Sequence, residues 1–392
     1  MKNTLRKVFC LCLVSLMIFT TLAGCSSSQA PRTDEAETPS SESTGSETES
    51  QARQPIDPKD VKVAFVAIAP PTEYGYNLSV YHGYEYVKEQ FPDIETVWID
   101  SVPDVGNESE TVMERLVREG CNVIFAVSFG YMDSVAKLAE KYPEVYFLHC
   151  SQGPVYVDNM TRYDITTYDA SFVAGYLAGK MTKTNRLGYV SAQPIPTVLS
   201  AANGFALGVK MANPDAKVNL FFTNSWSDPS LEKEAAQSLV ENGCDVLAQF
   251  ADSPSVQQVA KDNGRYGIGF HVDMRQFAPD HNITSFVYNW GPLYAAEIQK
   301  FIDGTWTAVE IAPGMIDGYA DIAPMNEGVV PADVMAEVED VRQKIMDGEI
   351  VVFAGEIKDN EGNVRVAAGE VLGGDDLKSM DWLVDNIEGA SL

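Results

Sequence analysis

The chain contains one stretch of sequence twice, about 123 residues apart. The first copy is LVREGCNVIFAVSF at 116–129, and the second is LVENGCDVLAQFAD at 239–252. Each copy predicts the end of a helix, a glycine stop and a short apolar strand, because Gly120 and Gly243 suit the left-handed position that closes a helix. Such strands are typical of sheets covered on both faces. The copies differ most where each strand ends, which favours two similar lobes with different site loops.

The wider pattern of strands and helices predicts an α/β fold. Strands and helices alternate over 61–149 and again over 186–271, with equivalent positions roughly 121 to 124 residues apart. This order predicts two Rossmann-like lobes with parallel sheets, joined by a hinge of three crossings near 164, 285 and 322. A small-residue helix within 164–181 is expected to pack tightly on a sheet. The expected lobes are 59–163 plus about 286–321 (N-terminal) and 164–285 plus about 322–392 (C-terminal).

The N-terminal segment has the composition of a targeting signal. A basic start precedes an apolar run at 8–20, which is shorter than the ~20 residues of a membrane span. The sequence LAGC at 22–25 resembles the bacterial lipoprotein box, and this implies removal of 1–24 and lipid attachment to Cys25. Residues 25–58 are poor in large apolar side chains and predict a disordered tether. We therefore expect a lipid-anchored protein at the cell membrane, facing the extracellular or periplasmic side.

Charge and cysteine content limit the classes of function. The chain has 56 acidic and 28 basic residues and a net charge of −28, which argues against a nucleic-acid partner. Cys121, Cys150 and Cys244 are expected to be buried, inert thiols, with a Cys121–Cys150 bridge or metal binding as alternatives. Because CxxC and Cys/His clusters are missing, we assign no metal. Because GxSxG, HExxH and the dinucleotide glycine fingerprint are missing, we expect no cofactor, no catalytic residue and no enzyme.

Candidate site residues follow from the rule that ligands bind beyond the carboxyl ends of parallel strands. Aromatic rings there hold a flat heterocycle or a sugar face, and carboxylates accept hydrogen bonds from amines or hydroxyls. The alternative is that the rings pack within a lobe and that Asp133, Asp252 and Asp273 cap helices. The candidate ligand-binding residues are Tyr74, Tyr76, Asn77, Ser128, Phe129, Tyr131, Trp226, Asp252, His271, Asp273 and Trp290.

Several short motifs together resemble one known family. They are SFGYMD at 128–133, NSW at 224–226, DSP at 252–254, HVDM at 271–274 and NWGP at 289–292. This combination is similar to the basic membrane protein (BMP) family, the substrate-binding lipoproteins of ABC transporters, over about 61–385. The resemblance implies a type I periplasmic-binding-protein fold, a purine base or nucleoside as ligand, and an ABC permease with its ATPase as partners. It also implies stacking by Tyr76 and Trp226, and base or ribose contacts by Asp252 and Asp273.

The first loop departs from the family pattern. Related members often carry Gly-Gly-Trp there, whereas this chain has EYGYN at 73–77. The choice between base and nucleoside therefore stays open. Three alternatives remain: a receptor for a sugar or other small molecule on the same scaffold, a secreted nucleoside hydrolase, and a signalling receptor without a transporter. We expect a monomer in each case.

Overall fold

The computed structural model describes residues 54–72 and 74–389. The predicted signal, Cys25 and most of the predicted tether lie outside these residues. The strands are β1 (Lys62–Val66), β2 (Glu95–Ile99), β3 (Val123–Ala126), β4 (Tyr146–Cys150), β5 (Met160–Tyr163), β6 (Arg186–Ser191), β7 (Lys217–Phe222), β8 (Val246–Phe250), β9 (Tyr266–His271), β10 (Asn282–Tyr288), β11 (Glu310–Ile311), β12 (Ala320–Ile322), β13 (Ile357–Lys358), β14 (Val364–Val366) and β15 (Ile387–Glu388). The α-helices are α1 (Gly75–Gln90), α2 (Glu108–Arg118), α3 (Met132–Lys141), α4 (Tyr168–Met181), α5 (Pro196–Ala212), α6 (Pro229–Glu241), α7 (Ser255–Asp262), α8 (Trp290–Ile302), α9 (Ala332–Met346) and α10 (Gly374–Lys378).

The strands form two large sheets with the same internal order. The first sheet is ordered β11-β5-β4-β3-β1-β2, and the second is ordered β12-β10-β9-β8-β6-β7-β15. All neighbours are parallel except β10 and β12. The first five strands of each lobe therefore occupy equivalent places, and the predicted α/β fold of two similar parallel-sheet lobes is confirmed.

The repeated glycine-cysteine stretch has the same conformation in both lobes. Gly120 has a φ of 93° and Gly243 a φ of 87°, which is the left-handed region that favours glycine. Each following cysteine donates its backbone N–H to the last turn of the helix, from Cys121 to Leu116 O at 3.0 Å and from Cys244 to its equivalent at 3.1 Å. The helix end and the turn into the buried strand therefore have the same backbone conformation and hydrogen bond in both lobes.

The remaining cysteines are free thiols. Cys121, Cys150 and Cys244 are all buried and unpaired, so the alternative Cys121–Cys150 bridge is not formed. Burial raises the pKa of Cys121 and of Cys244 to about 11, because the thiolate is poorly solvated there. Both groups are therefore protonated and inert at neutral pH.

Helices α4 and α5 pack closely in the second lobe. Gly175, Gly204 and Gly208 lie at this contact, and a Cβ added at Gly208 would overlap the carbonyl oxygen of Phe172 and lie 2.8 Å from Tyr176 N. The sequence predicted that the small residues of 164–181 pack on a sheet. They pack chiefly on another helix, because only glycine lets two helix backbones approach this closely.

Three chain segments cross between the lobes. The first joins β5 to α4, the second joins β10 to α8, and the third joins β11 to β12. Strand β10 stays in the second sheet as far as Tyr288, and α8 then packs against α1 of the first lobe. The second crossing thus falls a few residues after 285, and the third falls before 320. Each lobe is therefore assembled from segments that are distant in sequence.

A candidate ligand site between the lobes

The lobes touch where the carboxyl ends of the two sheets face each other. Gly75, at the start of α1, has a φ of +79°, and a Cβ added there would lie 3.1 Å from the carbonyl oxygen of Asp252 in the second lobe. The rings of Tyr74 and Phe277, one from each lobe, are 5.8 Å apart in an edge-on arrangement. The loops nominated by the strand-end rule therefore come together across the cleft.

Aromatic rings surround the inner part of this cleft. The ring of Tyr76 lies 5.8 Å from His271 and 6.0 Å from Trp290, edge-on in both cases, and its hydroxyl donates to Cys150 Sγ at 3.0 Å. Tyr288 lies 5.5 Å from His271 and 4.8 Å from Trp290. Burial raises the pKa of Tyr76 and of Tyr288 well above its usual range. Both tyrosines nevertheless keep some accessible surface, as side chains that line a narrow cleft do.

The second lobe adds a carboxylate to this cleft. Asp252 follows β8, and its Oδ1 accepts a hydrogen bond from His271 Nε2 at 2.8 Å. The side chain of Asp252 is 16% exposed, so it retains a face for another donor. Its backbone N–H donates to the carbonyl oxygen of Trp226 at 3.2 Å, and Trp226 itself is 40% exposed.

Two buried polar atoms on segments that contribute to this cleft have no protein partner. They are Oδ1 of Asn77 and Nδ1 of His271, as found over residues 54–72 and 74–389. His271 also has a φ of 70°, which is uncommon for a residue other than glycine. Because buried polar atoms are normally hydrogen-bonded, these two atoms are available for a ligand. Strained backbone at such a place is typical of binding sites.

A buried network holds the loop that carries Asp252. Gln249 Nε2 donates to the carbonyl oxygens of Ala251 at 2.8 Å and Ser253 at 2.7 Å. Glu232 of α6 is fully buried and accepts from Ser253 Oγ at 2.5 Å. Burial raises the pKa of Glu232 to about 7. The loop is therefore fixed by side chains beneath it before any ligand arrives.

Of the three predicted residues in the loop after β3, Ser128 and Tyr131 are buried and Phe129 is exposed. Tyr131 is fully buried in the core of the first lobe, and its hydroxyl donates to Val102 O at 2.6 Å. Phe129 is 62% exposed, and its carbonyl oxygen accepts from His149 Nε2. Ser128 is buried and hydrogen-bonded within its own lobe. The loop turns the Tyr131 ring into the core and leaves the Phe129 ring exposed after the end of β3, so Tyr131 does not line the cleft.

Asp273 and Trp290 also have local partners. Asp273 is exposed, and its Oδ1 accepts from Arg275 N at 2.9 Å, which is the turn-capping alternative. Trp290 is buried, and its Nε1 donates to Ser79 Oγ at 3.1 Å. Trp290 therefore stands behind Tyr76 and Tyr288 and supports their rings.

One carboxylate of the cleft was not among the predicted residues. Asp164 follows β5 at the first crossing, and burial raises its pKa to about 6. It lies close enough to Tyr76, Cys150 and Tyr288 to shift their pKa values. The available sequence signal for Asp164 was a single acidic residue after the last strand before the chain crosses to the second lobe.

The comparison with known families identifies the class of protein. A model of the family described as PnrA-like substrate-binding proteins of ABC transporters, Bmp, matches residues 60–356. The chain belongs to this family. The resemblance inferred from the short motifs is thereby confirmed, and the two lobes are those of an ABC transporter substrate-binding protein.

Two relatives cover most of this substrate-binding protein. A purine-binding protein of Brucella abortus is 36% identical over 84% of the chain and 93% of the relative. A putative ABC transporter glucose-binding protein of Haloferax volcanii is 31% identical over 87% of the chain and 89% of the relative.

Solved structures of more distant proteins share the fold. A solute-binding protein from Conexibacter woesei superposes with a TM-score of 0.63 at 21% identity, covering 74% of this chain and 98% of that one. One from Aeropyrum pernix gives a TM-score of 0.63 at 17% identity, covering 81% and 96%. The expected type I periplasmic-binding-protein fold is therefore confirmed.

Two kinds of feature are absent from the described residues. Within residues 54–72 and 74–389, no helix is long and apolar enough to cross a membrane. The same part of the chain holds no group of three or more His, Cys, Asp or Glu side chains arranged for a metal ion.

Proposed function

We propose that this substrate-binding protein serves an ABC importer and captures a purine base or nucleoside between its lobes. The observation that carries the proposal is the convergence of the Tyr76 ring and the Asp252–His271 pair on one cleft, with an unpartnered Oδ1 on Asn77, the residue after Tyr76. A purine offers a flat face for the ring and N–H groups for the acceptors. The purine-binding relative supports the same ligand class.

Calorimetric titration of the purified full-length chain tests this ligand class. Adenine, adenosine, guanosine and inosine are the probes, and we expect at least one to bind with measurable heat and to raise the Tm. The absence of heat and of a thermal shift with all four would reject the proposal. Mass spectrometry of a small molecule that co-purifies with the chain provides an independent measurement. An intact nucleoside after prolonged incubation would argue for a receptor and against a nucleoside hydrolase.

The ring of Tyr76 is expected to contribute a large part of the affinity. In Tyr76→Leu the stacking face is lost, and because stacking is worth about 1–3 kcal/mol per base, the Kd should rise about 10-fold or more. In Tyr76→Phe the ring stays and only the hydrogen bond to Cys150 is lost, so the Kd should change by less than about 3-fold. Titration of both variants with the tightest probe gives the comparison, and equal affinities for the two variants would contradict stacking.

A sugar is the second candidate ligand. The relative described as putatively glucose-binding supports it, since aromatic rings also pack against sugar faces. Competition by glucose or ribose against a bound purine distinguishes the two. Displacement by sugar at concentrations near that of the purine would favour the sugar.

Anchoring through Cys25 is part of the same proposal. Cys25 lies outside the described residues, and the proposal rests on the LAGC sequence before a polar stretch. We expect Cys25→Ala to move the protein from the membrane fraction to the soluble fraction of the cell envelope or to the medium, because the lipid is lost. Cys121→Ala is the matched control, since Cys121 is a buried thiol within the first lobe. Fractionation followed by immunoblotting measures the effect and the size of the product, and a Cys25→Ala protein that has lost 1–24 but stays in the membrane fraction would exclude the anchor.

A further inference from the structure

Asp164 bridges the two lobes at the base of the cleft. Its Oδ1 accepts from Ile165 N at 2.8 Å. Its Oδ2 accepts from Gln152 Nε2 at 3.1 Å and from Thr197 Oγ1 at 3.4 Å. Gln152 belongs to the loop after β4 in the first lobe, whereas Thr197 is in the first turn of α5 in the second lobe. The carboxylate is therefore held in place by donors that come from both lobes.

No cationic side chain compensates this carboxylate within the described part of the chain. Its ionisable neighbours are Tyr76 of α1, Cys150 of β4, Tyr288 of β10 and Tyr294 of α8, all neutral at pH 7.

Arg162, which lies two residues before Asp164 in the sequence, donates its hydrogen bonds to other acceptors. Arg162 donates to Ser151 Oγ at 3.0 Å, to Pro154 O at 3.2 Å and to the carbonyl oxygen of Gln152. Burying a carboxylate without a nearby cation costs free energy. Additional hydrogen-bond donors to the carboxylate reduce this cost.

Asp164 also has acceptor capacity left. A carboxylate accepts about four hydrogen bonds, and Asp164 receives three, of which the bond from Thr197 at 3.4 Å is long. The side chain keeps accessible surface although it lies deep in the protein beside Tyr76 and Tyr288, which line the cleft. A ligand that reaches the hinge side of the cleft therefore meets a free acceptor.

We propose that Asp164 is a specificity-determining residue that accepts a hydrogen bond from an N–H or O–H group of the ligand. The inference rests on the proposed binding of a purine between the lobes. Together with Asp252 it places two acidic acceptors at different edges of one cleft. This arrangement selects uncharged ligands with donors at two edges, such as a base or nucleoside, and disfavours phosphorylated ligands through charge repulsion.

The test compares Asp164→Asn with Asp215→Asn, which removes an exposed carboxylate in the turn between α5 and the amino end of β7, the end opposite the ligand cleft. The probe is whichever of adenine, adenosine, guanosine and inosine binds the wild-type full-length chain most tightly. We expect Asp164→Asn to raise the Kd about 10-fold at pH 7.5, and Asp215→Asn to leave it unchanged. We also expect the ratio of the Kd for adenosine monophosphate to the Kd for adenosine to be smaller in Asp164→Asn than in the wild type, because one repelling charge is removed.

The pH dependence of binding gives a readout that a purely structural role would not produce. The pKa of Asp164 is about 6, so the wild type loses the ionised acceptor as the pH falls through 6. We expect its Kd to rise between pH 7.5 and pH 5, and to rise less in Asp164→Asn, where Glu232 beneath the Asp252 loop still titrates in this window. The Tm of the unliganded Asp164→Asn should equal or exceed that of the wild type at pH 7.5, because a poorly solvated charge is removed.

Each possible outcome decides between the proposals. Wild-type affinity and a wild-type pH profile in Asp164→Asn would overturn the role of Asp164 while leaving the purine receptor intact. A lower Tm with an unchanged Kd would overturn it as well, and would make Asp164 a structural residue of the hinge. If the wild type binds none of the four probes, both proposals fail together.

Discussion

Asp252→Ala is expected to raise the Kd for the tightest purine probe by about 100-fold. The carboxylate is only 16% exposed, its Oδ1 holds His271 at 2.8 Å, and the loop beneath it is already fixed by Gln249 and Glu232. The substitution removes the acceptor and also leaves His271 without its partner, so ligand and protein both lose a hydrogen bond. Calorimetry at pH 7.5 measures the change.

Two further variants test whether the loss of affinity is specific to the Asp252 carboxylate. Asp252→Asn keeps the shape and one acceptor oxygen, so we expect an intermediate loss of about 10-fold. Asp273→Ala removes an exposed carboxylate that bonds Arg275 N, and we expect less than a 3-fold change. Equal losses in Asp252→Ala and Asp273→Ala would mean that the cleft carboxylate has been assigned to the wrong residue.

Gly208→Ala is expected to destabilise the second lobe by about 3 kcal/mol. The added Cβ would overlap the Phe172 carbonyl oxygen and approach Tyr176 N, both of which are backbone atoms of α4. Neither atom can move aside without separating the two helices. Alanine is favoured over glycine in helices by about 1 kcal/mol, so intrinsic propensity predicts the opposite sign. The midpoint of urea unfolding measures the difference.

Gly374→Ala is the matched control for that substitution. It lies in helix α10, and a Cβ added there meets nothing within 4 Å. We expect this variant to be neutral or slightly stabilised. A stabilised Gly208→Ala would show that α4 and α5 are not in close contact in solution.

The sequence predicted most of the frame of the protein. The repeated stretch, with glycines at 120 and 243, predicted two lobes, since a glycine stop and an apolar strand leave little conformational choice. Strands β11 and β15 were not predicted, because two-residue strands have no periodicity. The close packing of α4 on α5 was predicted only in part, because small residues indicate a close neighbour without identifying it.

The candidate site was predicted less completely than the fold. The strand-end rule selected Tyr76 and Asp252, which the structure brings to the same cleft. It also selected Tyr131, which the structure buries in the core, because position in a loop does not determine the direction of a side chain. Asp164 was not selected, since the rule considers loops within a lobe and this residue lies where the chain leaves one.

The order in which the lobes are completed follows from the three crossings. In the first sheet β5 pairs with β11, and the ring of Tyr294 in α8 packs on Phe65 in β1. This lobe therefore lacks its edge strand and a covering helix until residue 311 has been synthesised. In the second sheet β15 pairs with β7, and Asn203 of α5 is hydrogen-bonded to Trp382 and Val384. Neither lobe can therefore be completed while only the N-terminal part of the chain has been synthesised. A polypeptide that must be exported before it folds gains time from this arrangement.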